Sequence, residues 1–241
     1  MSWMILLLVI LALVVVFGLV LRVLEGAAKI IVTVLVLGVV VGGAVWVFWD
    51  INDLRQHFYQ DEKLFILDID GKVRGAFSLG SDGVPNILAP LDGIQEIYPA
   101  RIQDFTNPTY VEKPYYKVIV LTWPVVAQDL ELSGFSATQD ELKTALASEN
   151  PTQLFIDKMV EKFGQGALGQ IKLQADTLYP THDAFASTVF ALLATKPLSS
   201  PNLIFTGMKQ GTVLILPETI TIKILKILPG GMTQYLAPQP N

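Results

Sequence analysis

Hydrophobic positions run almost without interruption from Trp3 to Trp49, where only Arg22, Glu25 and Lys29 carry charge. Met1–Leu21 lacks charged side chains altogether, and its apolar helix of about 19 residues would be roughly 28 Å long. A second run, Ile30–Trp49, has about the same span. One continuous helix over both would reach roughly 70 Å, more than twice the thickness of a bilayer's hydrocarbon core. The pattern therefore predicts a two-helix transmembrane hairpin over residues 1–49. Arg22, Glu25 and Lys29 share one helical face in the connector, where they can lie in the headgroup layer. A secretory signal is the competing reading: Gly26-Ala27-Ala28 resembles a cleavage site, but no Lys or Arg precedes the run.

Trp3 opens the first run, and Trp46, Phe48 and Trp49 close the second, so a hairpin brings these aromatics to one membrane interface. Arg22 and Lys29 then mark the other. By the positive-inside rule that connector is cytoplasmic, which predicts a multi-pass protein of the cell membrane with an extracytoplasmic C-terminal domain. Arg55 and Lys63 weaken the bias. Within the second run, Gly38 and Gly42 form a GxxxG pattern with Gly43 beside it, so another helix backbone can approach closely. That helix is either the first span of the same hairpin or, in a homo-oligomer or a complex with a partner membrane protein, another chain. The lipid bilayer is the remaining expected partner.

After Asp50 the pattern changes. Asp50–Glu62 is a polar exit, and Lys63–Leu79 reads as a β-hairpin around Asp70-Gly71, a pair that accepts the positive φ of a tight turn. Gly80–Asn107 is loop-like, with a short strand at Ile94–Tyr98. Tyr115–Trp123 is a near-continuous apolar run, predicting a strand covered on both faces. Thr138 and Glu141 have capping-box spacing, Asn150-Pro151 predicts a helix start, and a third helix runs from Thr181 to about Lys196. Asn202–Met208 and Gly211–Leu216 are read as a second hairpin. Thr219–Leu228 fits either a strand or an amphipathic helix. The expected fold is thus a membrane-anchored α+β protein: the hairpin, then a soluble α+β domain over 50–241. That domain is built of antiparallel hairpins with about three inserted helices, β-rich over 63–123, helical over 138–196, and β-rich or amphipathic over 202–228.

Composition excludes more than it suggests. The formal net charge is −5, which leaves no basic footprint for nucleic acid, and the chain has no cysteine for disulfides or thiolate chemistry. Asp68 and Asp70 form the most suggestive carboxylate pair, yet Lys72, Val73 and Arg74 follow where a calcium loop needs oxygen ligands. The histidines, His57 and His182, lack zinc-site spacing. Gly134-Phe-Ser136-Ala-Thr138 departs from a nucleophile elbow at its second glycine, and a helix cap explains its hydroxyls. Gly164, Gly166 and Gly169 have GxGxxG spacing but follow a helix instead of a strand. No catalytic, cofactor-binding or metal site is predicted.

The layout resembles small uncharacterised two-span membrane proteins of archaea, in its aliphatic hairpin, its DINDLRQHF exit, its KLFILDIDGK hairpin and its late LPETITIKILKILP segment. The resemblance implies no activity and no functional residue. The expected function is a membrane-anchored binding, scaffold or accessory protein; the alternative is a membrane-tethered hydrolase or metal-dependent enzyme using Asp68, Asp70 or His57.

Overall fold

The computed structural model describes residues 15–16, 27–58, 60–98, 100–107, 114–132 and 135–227. The first apolar run, with Trp3 and Arg22, lies outside them apart from Val15 and Val16. The second run belongs to α1, Ala27–His57, one helix of 31 residues.

The expected membrane hairpin is overturned here. Among the described residues no helix is long and apolar enough to cross a membrane. The multi-pass localisation and the extracytoplasmic domain fall with it. Lys29 sits in the first turn of α1 instead of ending a connector. Nor does the helix stop at the tryptophans: it continues through Asp50, Asn52 and Asp53 to His57, and this polar end is fastened to a mixed α/β domain. The polar exit after Asp50 begins as further turns of the same helix, up to His57.

That domain is organised around a five-stranded sheet of order β3-β2-β1-β4-β7. β1 (Lys63–Ile69) pairs antiparallel with β2 (Lys72–Leu79), and the turn uses Asp70 and Gly71 at φ 56° and 78°. On its other side β1 runs parallel to β4 (Lys117–Thr122). Parallel neighbours need a crossover. Here the chain between them supplies β2, β3 (Pro85–Ile87), α2 (Asp92–Ile97) and a 3-10 turn at Ile102–Thr106. β7 (Val213–Leu216) closes the far edge antiparallel to β4.

Alternation along the strands serves two cores. Phe65, Leu67, Phe77, Ile119 and Leu121 face a helical layer, whereas Leu64, Ile66, Ala76, Val118 and Val120 face Leu91, Ile102 and Phe105. Burial on both faces is why β1 and β4 read as unbroken apolar runs. The helical layer follows α3 (Trp123–Val126) and a small β5–β6 ribbon (Leu130–Leu132, Phe135–Ala137). It comprises α4 (Gln139–Ala147), α5 (Thr152–Phe163), α6 (Leu168–Leu178), α7 (His182–Ser199) and α8 (Pro201–Gln210). The last element is α9 (Ile220–Ile227). α7 presses on β2 so closely that a Cβ at Gly75 would lie 3.0 Å from Phe190 Cβ and 3.1 Å from the Ala186 carbonyl oxygen.

Several local expectations are corrected with the architecture. Parallel pairing and more than three helices replace a domain of simple hairpins. Asn202–Met208 lies within α8, because Pro201 occupies the first helical turn, where its missing N–H costs nothing. Ile94–Tyr98 lies in and just after α2. α5 starts without a side-chain cap from Asn150, with Pro151 in helical conformation at its N-cap. Of the Thr219–Leu228 run, Ile220–Ile227 forms the amphipathic helix α9, which buries Ile222, and Leu228 lies outside the described residues. The Thr138–Glu141 capping box is present, with both reciprocal bonds.

Candidate functional site

Eight large apolar side chains of α1, between Val34 and Trp49, are 42% to 72% exposed. Contiguous apolar surface of this kind marks interaction sites, whereas scattered exposed leucines do not. Trp46 and Trp49 belong to this set. Gly38, Gly42 and Gly43 lie along the same helix, and a Cβ built on any of them meets nothing within 4 Å. With Val39, Trp46 and Ile220 of α9 they line a shallow apolar groove of about 430 Å³. The glycines thus form an open floor with apolar walls.

At its C-terminal end α1 meets the sheet through charge. Lys63 and Lys117 open β1 and β4 as direct parallel partners, and they are only 4% and 1% exposed. Lys63 Nζ donates to the carbonyl oxygens of Phe58 (2.6 Å) and Asp61 (2.8 Å). Lys117 Nζ donates to the Pro217 carbonyl at 3.2 Å and stands 5.0 Å over the Tyr116 ring. Burial pushes both ammonium groups below the usual lysine range, opposed by Asp61 at Lys63 and by Asp50 and Asp53 at Lys117.

The carboxylates come from α1 and the segment after it. The Thr221 amide of α9 donates to Asp50 Oδ2 at 2.5 Å, and Tyr116 Oη donates to Asp53 Oδ2 at 2.8 Å. Burial raises Asp50, but hydrogen bonding from Thr221 and the Lys117 charge outweigh it and leave the group below its ordinary value. The Thr219 and Thr221 hydroxyls are buried without a bond of normal geometry, so we assign the contact to the Thr221 amide. Burial, then the bond to Asp53, holds the Tyr116 phenol above its usual range. His57 Nδ1 lies 2.7 Å from Asp61 Oδ2, and Nε2 lies 3.7 Å from Asp53 Oδ1.

The residues singled out for chemistry are not brought together. Asp68 serves its own hairpin: Oδ1 accepts from the Gly71 amide at 2.7 Å, and Oδ2 accepts from the Tyr98 hydroxyl. Asp70 is exposed in the turn itself. His57 sits beside the start of β1, roughly 17 Å of strand away from Asp68. His182 is the first residue of α7 and its Nδ1 lies 3.0 Å from Thr152 Oγ1. Among the described residues no three His, Asp or Glu side chains are placed to hold a metal ion. Gly134 lies outside the described residues, while Ser136 lies in β6 ahead of the Thr138 cap. Gly164 ends α5 at φ 83°, and the 164–169 segment leads through a 3-10 turn into α6.

A polar cleft of about 510 Å³ lies between Glu62, Ser78 and the 80–86 loop. Of its two serines Ser81 is exposed, and Ser78 is buried and donates to Glu62 Oε1 at 2.6 Å, with no histidine in the lining to act as base. Sequence reasoning missed the paired lysines, because Lys63 and Lys117 look like ordinary strand-flanking charges until the parallel register is known.

No protein-family model matches the chain, and no characterised protein and no solved structure matches it either.

Proposed function

We propose that the protein works by binding, as a scaffold or accessory protein, and that α1 is its binding element with a second copy of the same helix as partner. The observation that carries this reading is the apolar face of α1, with an open glycine floor at Gly38, Gly42 and Gly43. A helix seated there would bury large apolar side chains on both partners, at about 25 cal/mol per Å² of surface removed from water. The glycines let the backbones approach, and twofold symmetry sets the same floor of one copy against the other. Against a hydrolase using Asp68, Asp70 or His57 stand their separation and their existing structural bonds.

Analytical ultracentrifugation of the full chain tests the proposal. The native protein is expected to sediment as a dimer, and Gly42→Leu as a monomer. Circular dichroism should be unchanged by Gly42→Leu, since beyond the neighbouring residues and backbone of its own helix nothing in the described fold lies within 4 Å of the added Cβ. A native monomer, or a Gly42→Leu dimer of undiminished affinity, would refute it.

A further inference from the structure

The exposed face of α1 has a period. Leu35, Val39, Gly42, Trp46 and Trp49 follow one another at alternate steps of four and three residues, the spacing that keeps a seam against a second helix. Ile220 of α9 borders this seam in the groove it shares with Val39, Gly42 and Trp46. The large side chains of the seam expose on the order of 550 Å², short of the roughly 800 Å² per partner that a standard interface buries. A pair of α1 helices alone is therefore a small contact.

α9 carries more apolar surface of the same kind. Ile220, Ile224 and Ile227 recur at i, i+4 and i+7, so they share one face of the helix, while Ile222 points the other way into the core. Ile224 and Ile227 are exposed, and with roughly 200 Å² between them they bring each copy close to the standard size. The start of α9 is set by α1. Thr219, standing where a helix supplies its own cap, has a buried hydroxyl that makes no bond of normal geometry. Asp50, one turn beyond Trp46, accepts instead from the amide of Thr221, the second residue of α9, and places its negative charge at the positive end of the helix. The joint is tied further by Lys117, which donates to the Pro217 carbonyl just ahead of α9.

We propose that α9 is the second contact element of the dimer, meeting the partner's α1 through Ile220, Ile224 and Ile227, and that Asp50 is the positioning residue that holds it beside the seam. This rests on the reading that two copies of α1 pair, and it adds what makes the pair self-selective. A foreign apolar helix brings one seam, whereas a second copy brings a seam and its own α9. By twofold symmetry each α9 then flanks the helix of the other copy.

Dissociation constants from sedimentation equilibrium test this. Ile227→Lys places an ammonium group at the contact and is expected to weaken the dimer at least about tenfold. Its circular dichroism should match the native protein, because Ile227 is exposed in the monomer. Asp50→Ala removes the cap and should weaken the dimer about fivefold, whereas Asp50→Asn, an equally good cap, should dimerise as the native chain does. If Asp50 acts through α9, the Asp50→Ala, Ile227→Lys double variant is no weaker than Ile227→Lys alone. A native dimer that Gly42→Leu disrupts and Ile227→Lys does not would overturn the role of α9 and leave the pairing of α1 standing. An Asp50→Ala dimer of native affinity, or effects that multiply in the double variant, would overturn the role of Asp50. A native monomer would defeat the pairing itself and this inference with it.

Discussion

Ser187 lies fully buried on α7 and joins two elements: its Oγ accepts from the Ala76 amide of β2 at 3.0 Å and donates to the Leu88 carbonyl after β3 at 2.9 Å. Ser187→Ala leaves a buried donor and acceptor without their partner, so it should cost about 1–3 kcal/mol in a denaturant titration. A loss under about 0.5 kcal/mol would contradict the bridge. Glu141 makes a different residue-level prediction. Its bond to Lys158, followed by those from Thr138, holds its carboxyl down at about 2. A carboxyl depressed on folding contributes stability above its unfolded value, here 4.5, and loses it as pH falls towards 2. Urea midpoints measured across that window should fall less steeply with acid in Glu141→Gln than in the native chain. Equal slopes would show that the pair contributes nothing.

At the scale of elements, α9 holds the groove together, since Ile222 is buried while Ile227 is 83% exposed. Ile222→Ala should cost about 2–5 kcal/mol, measured by thermal unfolding, and should loosen α9 from α1 and α8. Little or no loss would mean that α9 is not a docked element. Legibility in the sequence followed how local each determinant was. The β1–β2 turn at Asp70-Gly71 and the α4 cap at Thr138 depend on residues within one turn and could be read directly. The parallel pairing of β1 with β4 depends on residues some fifty positions apart, and no local pattern announces it. Asn202–Met208 has the composition of a strand, but Pro201 just before it occupies a first helical turn, where proline starts a helix instead of stopping one. Ile94–Tyr98 has strand-like composition, but Asp92 and Gly93 belong to the same short helix.

For the molecule as a whole, a sheet covered on both faces supplies the stable body, and α1 carries an exposed apolar surface whose groove is flanked by Ile220 of α9. The glycines of that surface were visible in the sequence. What was not visible was their setting, because an apolar run of bilayer length looks the same whether or not its polar continuation is bolted to a folded domain. The lysines at the joint show the same gap: their burial follows from register, not from any feature of the YKV or KLF segments. If the glycine floor is where two copies meet, a thiol placed on it must face its symmetry mate. Oxidative cross-linking of Gly42→Cys, in a chain without other cysteines, tests this most directly, with Lys172→Cys on α6 as the comparison. The account predicts rapid disulfide-linked dimer from Gly42→Cys and little from Lys172→Cys; equal, slow cross-linking at both positions would contradict it.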